Sequence, residues 1–169
     1  VSEDGVPLAC QEVATGVLVE LPERAGLSAR VLDPAGAAAD AGPGVSATTT
    51  EAGGAVLENA FVRVEIGAHG MLDSIHDKRA GREVLKPGAQ GNKLELFEDR
   101  PISWDAWDID IFFEDRGEVV GGLTGLWIAE AGPLRATVEL TRVFRKSRLT
   151  QRISLARHSA RIDFDTEVD

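Results

Sequence analysis

Apolar and polar side chains alternate at a period of two along much of the second half of the chain, and that period confines it to β-structure. Val62, Val64 and Ile66 are separated by Arg63 and Glu65. Leu134, Ala136, Val138 and Leu140 are separated by Arg135, Thr137 and Glu139, and Ile162, Phe164, Thr166 and Val168 by Asp163, Asp165 and Glu167. Successive side chains of a strand point to opposite faces, so segments of this kind bury one face and wet the other only as strands. No window carries a capped i, i+3, i+4, i+7 apolar stripe, so very little helix is expected.

Shorter segments extend the pattern. Gly16 to Glu20 and Ala29 to Leu32 read as short strands, and so do Leu94 to Phe97, Ile109 to Phe113, Leu123 to Ala129 and Gln151 to Leu155. Met71 to His76 and Arg82 to Leu85 read as a hairpin whose polar connection ends in Gly81, the residue that best tolerates positive φ. Residues 35–55 are almost entirely Ala, Gly, Thr, Asp and Pro, too poor in apolar surface to offset the entropy of ordering, and read as a flexible low-complexity loop. The expected organisation is N-terminal strands over 1–34, that loop over 35–55, and a main sandwich of antiparallel sheets over 56–169. Many short strands with frequent turn signals make the expected fold class all-β.

A chain of 169 residues holds one sizeable core, and 18 Lys and Arg against 28 Asp and Glu leave a net charge of −10. A surface that negative repels a phosphate backbone, so no nucleic-acid partner is expected. No apolar run approaches the roughly 20 residues that span a bilayer, and no membrane partner is expected. The single cysteine, Cys10, has no internal disulfide partner. That fits a reducing compartment, and a cytoplasmic location is expected.

The histidines are His69, His76 and His158; His69 lies between turn glycines and His158 in an expected turn, a poor start for the converging ligands of a zinc site. The densest unusual feature is Trp104-Asp105-Ala106-Trp107-Asp108-Ile109-Asp110. Indole faces stack on the C–H face of a sugar and neighbouring carboxylates accept hydroxyl hydrogen bonds, so Trp104, Asp105, Trp107 and Asp108 form a candidate carbohydrate contact. The same residues also suit a sandwich in which Trp plugs the core and Asp caps turns. Paired carboxylates serve glycoside hydrolysis, yet spacing alone assigns none of these Asp residues to that task.

Longer blocks are more specific than composition. Leu57-Glu58-Asn59-Ala60-Phe61-Val62-Arg63-Val64, Gly70-Met71-Leu72-Asp73-Ser74-Ile75-His76-Asp77-Lys78 and Gly81-Arg82-Glu83-Val84-Leu85 are followed by Gly91-Asn92-Lys93-Leu94-Glu95-Leu96-Phe97-Glu98-Asp99-Arg100-Pro101 and the Trp-Asp block. In order and content they resemble the start of the C-terminal β-region of glycoside hydrolase family 38 α-mannosidases. The likeness runs from about Gly16 to the last residue, with 35–55 outside it.

That resemblance implies a galactose mutarotase-like β-sandwich packed against the catalytic domain of the same parent chain. Family members are retaining, zinc-dependent enzymes that remove terminal α-linked mannose, with the zinc and the Asp nucleophile supplied by segments outside these residues. No catalytic residue and no metal ligand is therefore assigned to any position here. The resemblance implies no cofactor in this fragment and zinc in the full-length enzyme. It sets Trp104, Asp105, Trp107 and Asp108 on the substrate side or at the domain boundary, with a mannoside or oligosaccharide as the substrate. The alternation continues to Asp169 without a turn, so a fragment is expected, with a homo-oligomer forming through the exposed truncated edge. The alternatives are a free-standing carbohydrate-binding module and a purely structural interface domain.

Overall fold

Segments that alternate in sequence pair into antiparallel sheets in the computed structural model, which describes residues 1–23, 26, 29–104 and 107–169. At the N-terminal end, β1 (Ser2–Glu3), β2 (Val6–Val13) and β3 (Gly16–Val19) form a meander. Beside it lie β4 (Leu32–Asp33), against β1, and β5 (Ala38–Ala39), which runs parallel to β2.

The second sheet takes its strands in chain order: β6 (Ser46–Thr49), β7 (Ala55–Glu58), β8 (Val62–Ile66), β9 (Leu72–Asp77) and β10 (Arg82–Glu83). The β9–β10 hairpin forms as expected, with Asp77 opposite Arg82 and Gly81 at φ +61°. A two-stranded ribbon follows, β11 (Glu95–Phe97) with β12 (Gly117–Val119). The last sheet holds β13 (Leu123–Ala131), β14 (Arg135–Phe144), β15 (Ser147–Ala156) and β16 (Ile162–Val168), again in order. The described residues include one short 3-10 turn, Phe113–Arg116.

Ala47, Leu57, Val62, Val64, Ile66 and Leu72 of the second sheet pack against Ala136, Val138, Leu140, Ile153 and Leu155 of the last, forming the core of a two-layer sandwich. Each fully buried Val, Leu or Ile contributes about 1.5–3 kcal/mol. One end of this inner layer is polar. Buried Arg142 donates from Nη2 to the His69 carbonyl at 2.8 Å. Buried Gln151 accepts from Asn92 and donates to Thr166. The β11–β12 ribbon joins the sandwich at this end: Val143 N–H donates to the Gly122 carbonyl, and Arg145 at the β14–β15 hairpin tip pairs with Glu118 at 2.8 Å.

Two expectations are corrected. Ser46–Thr49, inside the stretch read as a loop, is an edge strand paired with β7. Val45 and Ala47 reach the core from it, so small side chains conceal a strand that a low apolar content does not reveal. Ile109 to Phe113, read as a strand, pairs with nothing among the described residues and leads into the 3-10 turn.

Candidate functional site

The connection from β11 to β12, residues 98–116, stands on a fixed base. Register pairing places Phe97 opposite Gly117. Just beyond, the Glu98 carboxylate takes hydrogen bonds from Arg116 Nη1 and pairs with Arg100 Nη2, both at 2.5 Å. The Arg116 hydrogen bond is the main cause holding the Glu98 carboxyl below its ordinary pKa. Phe97 and Phe113 meet edge to face, with centroids 5.2 Å apart. Asp110 accepts the Phe112 N–H at 3.2 Å through its side chain and the Phe113 N–H through its carbonyl, starting the 3-10 turn.

Above this base the chain turns sharply. The Trp104 carbonyl accepts N–H bonds from Trp107 at 2.7 Å and Asp108 at 3.1 Å, with Trp104 itself at φ +65°. A left-handed backbone at a bulky non-glycine residue costs on the order of 1–3 kcal/mol and concentrates at functional sites. The side chains face water: Trp104 is 76% exposed and Trp107 91%, and Ile102, Ile109, Ile111 and Phe112 are also exposed. Both tryptophans therefore lie outside the core. Asp108 is exposed beside them, and Asp105 lies outside the described residues. Large apolar side chains gathered in the open on one loop are a common feature of contact surfaces. Ile109, Ile111 and Phe112 fall in the segment whose alternation reads as a strand, and their exposure on a loop is not legible in that pattern, while Ile102 belongs to no pattern that marks it.

Two carboxylates of the β9–β10 hairpin are held by several hydrogen bonds each. Glu83 flanks an open cavity of about 550 Å³ with Asp73, Lys86 and Gln90. Its carboxylate accepts from Ser74 Oγ and from the Ile75, Val84 and Leu85 N–H groups, and these bonds, Ser74 first, hold its pKa down to about 2. A hydrogen bond from the Arg79 side chain likewise holds Asp77 at about 2. Carboxylates so stabilised are proton-poor at neutral pH and cannot serve as general acids.

His69 accepts the Met71 N–H at Nδ1 and turns Nε2 toward Asp73 at 3.2 Å and Gln90. His76 sits opposite Glu83 on β9, and His158 contacts Glu20. Among the described residues no group of three or more His, Cys, Asp or Glu side chains converges to hold a metal ion, so the donors present do not fit a zinc site. No helix among them is long and apolar enough to cross a membrane.

Residues 57–169, from within β7 to the end of β16 and including the exposed loop, match the model of the Glycosyl hydrolases family 38 C-terminal domain. The chain belongs to this family. Alpha-mannosidase G of Dictyostelium discoideum is 35% identical over 138 residues, covering 75% of this chain and 12% of that protein. Alpha-mannosidase 2C1 of Homo sapiens is 36% identical over 118 residues, covering 69% of this chain and 11% of that protein, and its Mus musculus counterpart matches to the same extent. The chain thus spans about an eighth or less of the length of these relatives. Within this family 38 C-terminal domain, the matched residues hold most of both core sheets and the loop with Trp104, Trp107 and Asp108, whereas β1 to β6 precede the match.

Proposed function

We propose that this family 38 C-terminal domain is the non-catalytic sandwich of an α-mannosidase. In the full-length enzyme it supports a zinc-dependent catalytic domain that hydrolyses terminal α-linked mannose with retention. The observation that carries the reading is the loop: Ile102, Trp104, Trp107, Ile109, Ile111 and Phe112 are exposed on a connection whose base pairs Glu98 with Arg100 and Arg116. Exposed Trp and Ile side chains suit a surface that packs on a second domain, because docking takes their apolar area out of water. The direction of the carboxylate shifts agrees with a supporting role: Asp77, Glu83, Glu98 and Glu130 are all shifted down, the opposite of a glycosidase acid. In this reading zinc belongs to the rest of the enzyme, and the Trp-Asp turn faces the domain boundary on the substrate side.

Incubating the 169-residue chain with an aryl α-mannoside and zinc tests this. No turnover is expected, and turnover abolished by a chelator would refute it. In the full-length enzyme, a Trp104→Ala/Trp107→Ala variant is expected to loosen the sandwich from the catalytic domain and lower activity. Exposed indoles beside Asp108 also suit a carbohydrate-binding module. Calorimetric binding of mannobiose by the isolated chain, lost in the same double variant, would favour that second reading.

A further inference from the structure

Negative charge is concentrated where the exposed apolar side chains are. Residues 98–116 hold seven carboxylate side chains and two arginines, a net −5 that is half of the chain's −10. Both arginines serve one carboxylate, since Arg100 and Arg116 pair with Glu98 at the base of the loop. Asp110 accepts the Phe112 N–H, and Asp115 lies in the field of Arg116. Asp99, Asp108 and Glu114 are exposed, and among the described residues their side chains make no hydrogen bond and no ion pair. Asp99 precedes the exposed apolar residues, Asp108 stands among them and Glu114 follows them.

That charge discriminates among the surfaces that take exposed indoles. A bilayer accepts Trp at its interface, but anionic headgroups attract basic segments and repel one of −5. A second copy of the loop would set −5 against −5, with the arginines of each already paired. A sugar stacks on an indole and leaves Ile102, Ile109, Ile111 and Phe112 in water. A protein surface that is apolar at its centre and basic around it satisfies both the apolar side chains and the carboxylates.

We propose, resting on the supporting role inferred above, that the loop docks on an apolar hollow of the parent enzyme whose rim carries Lys and Arg. Trp104, Trp107 and the neighbouring Ile and Phe side chains cover the hollow, and Asp99, Asp108 and Glu114 meet the rim. Because Glu98 holds Arg100 and Arg116, no free cation of the loop opposes a basic surface. The apolar contacts supply most of the affinity, and the carboxylates select and orient the partner.

The test follows amide hydrogen exchange over residues 98–116 in the full-length enzyme. It compares the wild type with Asp99→Lys/Asp108→Lys/Glu114→Lys, with the isosteric Asp99→Asn/Asp108→Asn/Glu114→Gln and with Trp104→Ala/Trp107→Ala. Expected is exchange at least about tenfold faster than wild type in the charge-reversed variant, an intermediate rate in the neutral one, and faster exchange of the wild type in about 0.5 M salt. Unchanged protection of β8 and β14 shows that the sandwich stays folded; if charge reversal disturbs it, the neutral variant and the salt dependence decide. Wild-type rates in both charge variants and no salt dependence, beside faster exchange in the tryptophan variant, would overturn the basic rim and leave the supporting role standing. Wild-type rates in the tryptophan variant would overturn both. Slower loop exchange on adding phosphatidylserine vesicles, or on raising the protein concentration, would assign the loop to a bilayer or a second copy and overturn the proposal.

Discussion

Gln11 and Arg135, 124 positions apart, are joined by a two-way hydrogen bond in which the Gln11 side chain imitates a neighbouring strand. Its Nε2 donates to the Arg135 carbonyl at 2.7 Å, and its Oε1 accepts the Arg135 N–H at 2.8 Å and the Leu134 N–H at 2.7 Å. The N-terminal meander is tied in this way to the first residues of β14. A Gln11→Ala substitution leaves these half-buried backbone groups unpaired and is expected to cost about 1–3 kcal/mol. Urea denaturation measures the loss, and limited proteolysis should show residues 1–40 cleaved first. An unchanged midpoint would mean the meander is held by other contacts.

Arg142 is fully buried, donates to the His69 carbonyl and leaves its Nε without a partner, and burial pushes its pKa down. Arg142→Ala opens a cavity and orphans that carbonyl, with an expected cost of about 2–5 kcal/mol. Arg142→Met fills the volume and removes a poorly partnered buried cation, so it should cost clearly less. Chemical denaturation of the two variants side by side gives the ranking, and a reversed order would mean the charge itself stabilises.

The Glu83 carboxyl is held at about 2 against an ordinary 4.5. A depressed folded-state value contributes stability that is complete above the unfolded pKa and is lost as pH falls through the folded one. The contribution therefore declines from about pH 4.5 toward pH 2. Glu83→Gln should flatten the acid limb of a stability–pH curve while leaving its shape near neutrality unchanged. Solvent screening at this exposed position keeps the effect modest.

Trp104 and Trp107 are in water in the described fold, so Trp104→Ala and Trp107→Ala should each leave its stability within about 0.5 kcal/mol. Thermal denaturation checks this directly. A large loss from either would mean that the indole supports the loop rather than serving as contact surface.

Strands with one wet and one dry face, β8 and β14 above all, were legible in the alternation of their residues. The β1–β2 hairpin is absent from the expected elements although a signal for it exists: Asp4-Gly5, both at positive φ, form the two-residue turn that Asp-Gly favours. Strand β6 was obscured because Ala47 and Val45 anchor it with little apolar bulk. Ile109 to Phe113 alternates as a strand would, yet alternation implies a strand only where a neighbour covers one face. At the candidate site the Trp-Asp block stood out by composition. Its orientation did not, since an indole serves equally well as a core plug, and the clamp from Glu98 to Arg116 joins residues 18 positions apart with no local pattern to announce it.

All three tryptophans lie outside the core: two on the loop, and Trp127 on β13 at 42% exposure. Intrinsic fluorescence of this chain therefore reports its surface. Unfolding leaves Trp104 and Trp107 in water, so the part-covered Trp127 alone should contribute a red shift, whereas covering the loop should move the emission to the blue. The proposed docking of the loop on a second domain can thus be followed through Trp104 and Trp107 without a label.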